Sequence, residues 1–345
     1  MRICMIAPHY YPAENGNAVT VRRIERHLRL LGCEVQVFPV DRMSGEELLA
    51  GVKAFAPQLL HAFHAYHGGR MAHALADELS IPYLVTLTGT DVYQALDDHR
   101  SFDTHAALRN ASRLVAFHAY VKRRLAEHLP SLEERTVVIP QGVELPALPA
   151  AAGTVEGNCT FLLPAGLRPV KNVLFPLQPL ATLHAVNPGI RFLLVGPVLD
   201  TAYAAEVMEA LERYPFARYL GVVGHDAMGD LYRAADVVLN SSLIEGGMAN
   251  SVLEGLAYGK PLLVTDIEGN RSIVRECANG LLYRDAGEFC RKAELLVTDP
   301  VLRQKLGGNG RSLVRDKYPP ERESQSYLEL YQAILESKIS RATAE

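Results

Sequence analysis

VVLNSSLIEGGMANSVLEGLAYGKP, running from Val237 to Pro261, reads as strand, loop and helix in succession. Val237-Val238-Leu239 is a short continuous apolar run, the pattern of a buried strand rather than an amphipathic one. Asn240, Ser241 and Ser242 end it, and the small residues Gly246, Gly247, Met248 and Ala249 form a loop leading to Asn250. A helix is expected to start near Ser251, with Leu253, Leu256 and Ala257 at helical spacing, and to stop at Gly259 ahead of Pro261. A glycine loop feeding a helix presents free backbone N–H groups and the positive end of the helix dipole, which suits an anion. Glu245 and Glu254 frame that place. Carboxylates beside an anion site do not serve the anion, so their expected partners are hydroxyl groups such as those of a sugar. Two structural readings stay open. Ser251 and Glu254 have the spacing of a capping box, in which Glu254 satisfies an N–H at the helix start, and Glu245 alone could be a solvated loop carboxylate.

Working outward, the chain is long enough for two cores at 345 residues. With 48% hydrophobic and 21% charged residues the composition is globular. The net charge of −4 gives no electrostatic reason to expect nucleic acid, and no basic run suggests a membrane surface. Five cysteines without CxxC spacing read as free thiols of a reducing compartment. The apolar start MRICMIAP is short for a signal peptide, and no stretch reaches the length of a membrane helix. Cytoplasm is the expected location.

Strands and helices alternate along the chain. Strands are expected at Arg2 to Ala7, Glu34 to Val40, Leu59 to Ala62, Tyr83 to Thr88, Arg113 to Phe117 and Thr136 to Pro140. The loop Pro8 to Asn17 holds Gly16 and Asn17, ahead of a helix from Val19 to Leu31. This opening is Rossmann-like but has no G-x-G-x-x-G, so a dinucleotide fingerprint is not supported. His61, His64 and His67 are spaced by three, yet they lie where a strand runs into Gly68-Gly69, which favours a polar wall at the sheet's carboxyl edge over a metal set. There His67 or Arg70 could touch a ligand. The polar run Thr88-Gly89-Thr90-Asp91 ends the next strand, with an Asx-type turn made by Asp91 as the structural alternative.

Residues 146–158 are rich in Pro, Ala and Gly and read as a linker between a first domain at 1–145 and a second at 159–317. A final segment, 318–345, reads as a helix, with Tyr327, Leu328 and Tyr331 on one face. The second domain alternates in the same way, with strands at Thr160 to Leu163, Arg191 to Val195, Arg218 to Leu220 and Leu262 to Thr265. After its first strand comes Gly166-Leu167-Arg168-Pro169-Val170-Lys171-Asn172. A guanidinium that forks onto two phosphate oxygens and an ammonium point charge three residues on look like a diphosphate clamp. Solvated charges are the plain alternative.

These motifs together resemble the retaining family 4, or group 1, glycosyltransferases over nearly the full chain. Members carry a Glu-x7-Glu signature before a Gly-Lys-Pro strand entry, whereas here eight residues separate Glu245 from Glu254. Gly16 to Thr20, the Gly166-Leu167-Arg168 run with Lys171, Val195-Gly196-Pro197 and Asn240-Ser241-Ser242 are similar to a group of animal proteins with a glycosyltransferase 1 domain. Leu87 to Asp91 and Glu245-Gly246-Gly247 with Ala249-Asn250 resemble selenosugar synthases, which place selenium from selenophosphate on a UDP-sugar.

The resemblance implies an α/β protein of the GT-B class: two Rossmann-like domains whose parallel sheets face across a cleft, with the final helix packed back on the first domain. It implies transfer of a sugar, with retained configuration, from a nucleotide-diphosphate donor (UDP above all) to a small acceptor. Arg168, Lys171 and Glu245 are the implied catalytic residues. Gly16, Asn17, Gly166, Gly246, Gly247, Met248, Ala249, Asn250, Ser251 and Glu254 would bind donor, and His67, Thr88, Gly89, Thr90 and Asp91 acceptor. The loop Gly269-Asn270-Arg271 would lie on the phosphate side. No cofactor and no metal are expected, because Arg168, Lys171 and a helix end already neutralise diphosphate and no Asp-x-Asp follows a strand. A sugar-nucleotide epimerase, which would act without acceptor, and a sensor that binds donor without turnover are the rival classes.

Overall fold

The computed structural model describes residues 1–11, 16–147 and 158–342, with backbone alone at 225–226 and 339–342. The larger part of the expected linker, 148–157, lies outside the described residues. Two compact units divide the chain: Met1–Gly142 with Pro320–Glu345, and Val143–Pro319.

The first unit is built on a parallel sheet of β1 (Arg2–Ala7), β2 (Glu34–Pro39), β3 (Leu59–Phe63), β4 (Tyr83–Thr86), β5 (Arg113–Ala116) and β6 (Thr136–Val138). Their order is β2-β1-β3-β4-β5-β6, with Met5 opposite Val37 on one side and His61 on the other. β1 and β3 are buried nearly end to end, as central parallel strands covered on both faces must be, which is why they read as unbroken apolar runs. The expected helix after β1 begins earlier than Val19: Gly16 and Asn17 form the first turn of Gly16–Leu30 rather than a loop. A helix at Gly45–Phe55 has no counterpart in the sequence reading. Its start is a true capping box, with Ser44 Oγ accepting from Glu47 N at 3.2 Å and Glu47 Oε2 accepting from Ser44 N at 2.8 Å.

The final helix, Pro320–Ala342, belongs to this unit and packs on Gly16–Leu30. Two buried polar contacts fix it. Arg23 donates from Nε and Nη2 to the two oxygens of Glu323 at 2.7 and 3.0 Å. Deeper in, the Tyr331 hydroxyl meets His61 Nδ1 at 2.7 Å, His61 Nε2 meets Thr86 Oγ1 at 2.7 Å, and Thr86 Oγ1 meets the Tyr327 hydroxyl at 3.0 Å. Tyr327 and Tyr331, expected on one face, are both fully buried.

Burial drives the His61 pKa down to about 3, so the folded protein holds this ring neutral. The unfolded chain takes up the proton near 6.5. Below that value the unfolded state binds more protons, so the stability His61 contributes is complete above about pH 6.5 and is lost as the pH falls toward 3. The expected slope is about 1.4 kcal/mol per pH unit from this group alone. Buried His64 adds to it with the same sign, and exposed His67 adds less. Melting temperatures at pH 7.5 and 5.5 test this: the wild type should lose stability and His61→Gln should lose less. A wild type indifferent to pH over that range refutes it.

The second unit repeats the plan with β7 (Cys159–Pro164), β8 (Ile190–Val195), β9 (Ala217–Tyr219), β10 (Val237–Asn240), β11 (Leu262–Thr265) and β12 (Gly280–Tyr283). All are parallel, in the order β12-β11-β10-β7-β8-β9, the doubly wound order of a Rossmann half-pair. Phe161, Phe192, Tyr283 and Phe289 fill the core on one face of this sheet.

Candidate active site

In open α/β sheets ligands bind at the carboxyl ends of the strands where the strand order reverses. In the second unit that point lies between β7 and β10, and the two loops leaving these strands are Arg168 to Asn172 and Ser241 to Ala249. They are tied together: Leu243 N donates to Val170 O at 2.9 Å and Ser241 Oγ to Lys171 O at 2.9 Å. Pro169–Lys171 form one turn of 3-10 helix closed by Asn172 in the left-handed region.

The two charged groups read separately from the sequence form one ion pair. Lys171 Nζ lies 2.6 Å from Glu245 Oε1. The same oxygen accepts from Ser242 Oγ at 2.6 Å and Asn240 Nδ2 at 3.0 Å. Burial by itself would raise the Glu245 pKa, but the Lys171 charge and these donors outweigh it and hold the carboxyl below its ordinary value. Glu245 is therefore neither solvated nor simply turned to an outside hydroxyl: it positions Lys171. Arg168 keeps its Nε buried with no hydrogen-bond partner among the described residues.

Behind Glu245 is a support that the sequence shows only as Gly269-Asn270. A Cβ on Gly269 would stand 2.4 Å from Glu245 Cβ and 3.0 Å from its carbonyl oxygen, so only glycine admits the loop after β11 this close. Asn270, fully buried, donates to Thr265 O at 2.9 Å and to Asn240 Oδ1 at 3.3 Å, and Thr265 Oγ1 donates to Ser242 O at 2.7 Å. Arg271 is turned aside onto Asp266 at 2.6 Å.

The helix after the glycine loop runs Asn250–Ala257, and its N-cap is Ala249, with no side-chain cap. The capping-box reading of Ser251 and Glu254 is thus overturned: Ser251 is already inside the helix. Glu254 Oε2 instead accepts from the Tyr232 hydroxyl at 2.7 Å, and Tyr232 is buried. Met248 is buried as well, 3% exposed, so at that position the backbone rather than the side chain is what a ligand could meet. Gly246, Gly247, Asn250 and Ser251 are half-buried around it. Gly166 packs against Leu199 and Pro197.

In the first unit the reversal lies between β1 and β3. β3 runs into a π-turn, His64–Gly69. His64 adopts φ 68°, and its Nδ1 accepts from the Tyr66 and His67 amides at 3.2 Å each. A Cβ on Gly68 would meet Phe63 O at 2.5 Å and Ile6 O at 2.7 Å, so the turn can press onto β1 and β3 only with glycine there. The three histidines do not converge. His61 points to Thr86 and Tyr331, His64 Nε2 to Thr90 Oγ1 at 2.9 Å, and His67 is exposed.

Asp91 corrects the expectation that it faces a ligand. Its side chain is fully buried and accepts from the Gly89 amide at 2.7 Å, the Thr88 amide at 3.1 and 3.2 Å, and the Ala65 amide at 3.0 Å. The Asx-type alternative describes it. Asp91 thereby fixes the Thr88–Thr90 loop against the π-turn, with Gly89 at φ 126° and the Thr88 hydroxyl buried without a hydrogen-bond partner among the described residues. Around Tyr66 stand Arg70 and Arg100, 4.7 and 5.8 Å from its ring centre, and the His67 ring at 5.2 Å. Burial and then the neighbouring His64, Arg100, His9 and Arg70 drive the His67 pKa down to about 4.

Two family models match. Residues 41–146 match the model described as Glycosyltransferase Family 4, and residues 158–299 that described as Glycosyl transferases group 1. The chain belongs to the group 1 and family 4 glycosyltransferases. Among its relatives, Glycosyltransferase 1 domain-containing protein 1 of Xenopus tropicalis is 26% identical, over 91% of this chain and 93% of the relative. A D-inositol 3-phosphate glycosyltransferase of Geodermatophilus obscurus is 26% identical over 74% of this chain and 66% of its own. Among solved structures, sucrose-phosphate synthase of Thermosynechococcus elongatus superposes with a TM-score of 0.80 at 18% identity, covering 98% of this chain and 100% of that one. HepE of Anabaena, in complex with UDP and glucose, gives 0.78 at 17%, over 96% and 99%. The glycosyltransferase therefore has the GT-B fold, with the two six-stranded parallel sheets described above. No helix among its described residues is long and apolar enough to cross a membrane.

Proposed function

We propose that this glycosyltransferase moves a sugar from UDP, with retained configuration and without metal, to a small acceptor in the cytoplasm. The observation that carries this reading is the Lys171–Glu245 pair at the β7/β10 switch point, with Arg168 beside it in the same loop. In the reaction the bond from the anomeric carbon to the diphosphate oxygen breaks, and a bond from that carbon to the acceptor forms on the same face. The acceptor's proton passes to the leaving phosphate. Negative charge grows on that phosphate, and Lys171, Arg168 and the amides at Asn250 and Ser251 are the groups that would stabilise it. Gly166, Gly246, Gly247 and Ala249 would let the donor approach the backbone. HepE, a relative in fold, is complexed with UDP and glucose, which supports UDP as the donor nucleotide.

The experiment is incubation with a panel of nucleotide sugars, with and without EDTA, reading hydrolysis, transfer and the anomeric configuration of the product. UDP-sugar turnover with retained configuration, undiminished by EDTA, is expected. Loss on chelation that magnesium or manganese restores, or an inverted product, would overturn the mechanism. Epimerised donor without acceptor would place the protein in the epimerase class, and binding without turnover would make it a sensor.

Glu254 is assigned to the ribose hydroxyls of the nucleotide. Glutamine at this position still offers the Tyr232 hydroxyl an acceptor but removes the charge. Glu254→Gln should therefore leave the melting temperature nearly unchanged and weaken UDP binding by roughly 1–3 kcal/mol. UDP affinity equal to wild type in calorimetric titration would leave Glu254 a structural role, in which it accepts from Tyr232.

A more specific reading of the acceptor is favoured by the cluster of His67, Arg70 and Arg100 around Tyr66. Arg70 and Arg100, the latter shared with Asp98, are the cations of this cluster, with His67 neutral; they suit an acceptor that carries phosphate, which selenosugar or thiosugar synthesis from a phosphorylated chalcogen would require. A relative bears the name D-inositol 3-phosphate glycosyltransferase. Transfer to phosphorylated but not to neutral acceptors is the expected result.

A further inference from the structure

At the amino edge of the second unit's sheet, away from the carboxyl ends that carry Lys171 and Glu245, there is a cavity of about 570 Å³. Its size is that of a small-molecule site. It lies over one face of β7, β8 and β9, where Thr160, Arg191, Leu193 and Arg218 are set side by side. The register places Thr160 next to Arg191 and Leu193 next to Arg218. The opposite face of the same strands, with Phe161, Phe192 and Leu194, is the core. A second wall is aromatic: His184 stacks on Phe216 with ring centres 4.8 Å apart and planes 25° apart.

The charges in this cavity are unbalanced. Both guanidiniums, Arg191 and Arg218, are exposed, and neither has an ion pair or side-chain hydrogen bond among the described residues. The Nδ1 of His184 is buried without a hydrogen-bond partner among the described residues. No carboxylate among the described residues lines the cavity. Asp236, at the same edge of the sheet, is engaged by the Thr160 amide at 2.8 Å. Two unpaired arginines on neighbouring strands, a partnerless imidazole nitrogen and an aromatic wall define a complementary ligand. Its oxyanion would take forked hydrogen bonds from the guanidiniums, and its flat or apolar body would lie on Phe216 and Leu193.

We infer that the Arg191–Arg218–His184 cavity is a second small-molecule site, binding a phosphate ester whose organic part is flat or apolar. It is independent of the donor site, from which it is separated by the length of the strands.

The probe is phenyl phosphate, titrated into the full-length protein by NMR and calorimetry in the presence of saturating UDP, with inorganic phosphate, benzoate and phenol as comparators. Phenyl phosphate should bind at millimolar concentration, more tightly than inorganic phosphate or phenol. Benzoate binding as tightly as phenyl phosphate would overturn the phosphate assignment in favour of a carboxylate. Arg191→Ala and Arg218→Ala should each weaken binding about ten-fold or more. Both positions are exposed on strands, and Arg191→Gln and Arg218→Gln, which keep length and remove charge, guard against misfolding. Lys171→Ala should bind phenyl phosphate as the wild type does. Binding that Lys171→Ala abolishes while the arginine variants retain it belongs to the donor site and overturns the inference, as does the absence of any binding. The arginine variants decide the matter whether or not UDP proves to be the donor nucleotide.

Discussion

Lys171→Ala is expected to lower kcat about 100-fold or more, with a much smaller change in KM. The effect follows from where charge appears. In the bound donor the diphosphate charge is already present, but an additional negative charge develops on the leaving oxygen as the anomeric bond stretches. A fixed ammonium that costs no reorganisation at that moment favours the transition state over the ground state. Lys171 is fixed in this way by the 2.6 Å contact with Glu245, which is itself held by Ser242 and Asn240. The variant also leaves Glu245 without its counter-charge, so some stability is lost with the activity. Kinetics should be measured well below the melting temperature, with circular dichroism confirming the fold. A folded variant with near-wild-type turnover would reduce the pair to a structural ion pair.

The second large effect is on stability. Glu323→Ala should destabilise the first unit by about 3–5 kcal/mol and lower its melting temperature by roughly 10 °C. Both members of the Arg23–Glu323 pair are withdrawn from water, with side chains 7% and 1% exposed. Removing the carboxylate takes two forked hydrogen bonds from a desolvated guanidinium. The paired replacement Arg23→Met with Glu323→Leu should recover much of the loss, because an apolar pair of similar volume carries no desolvation penalty. Calorimetry of the three proteins tests this. A shift under about 2 °C for Glu323→Ala would mean that the Arg23–Glu323 pair adds little and that the final helix is held by its other contacts, Tyr327, Tyr331 and Ile334 in the core among them.

Strand positions were legible in the sequence for a definite reason. A parallel strand buried on both faces must be apolar along its length, so Arg2–Ala7 and Leu262–Thr265 appear as continuous runs with the ends that the structure gives them. The helix at Gly45–Phe55 escaped the sequence reading, although Ser44 and Glu47 carry the capping-box spacing that the structure uses. The same spacing at Ser251 and Glu254 misleads, because the helix there begins before Ser251. A capping motif states that a side chain could cap, and the path of the incoming chain decides whether it does.

What the sequence by itself determined is therefore the alternation of strands and helices, the two-unit plan and the loops at the carboxyl ends of the strands. Those follow from local periodicity and turn chemistry, which act over a few residues. Side-chain direction at the strand ends was decided only by the tertiary structure. Asp91 and Asp98 are both acidic loop residues in sequence, yet one staples three backbone amides in the interior while the other holds Arg100 nearer the surface. Lys171 and Glu245 stand 74 positions apart, and nothing local to either signals the other. They meet because β7 and β10, distant in the chain, are neighbours in the sheet, and a contact of that kind exists only once the sheet has formed.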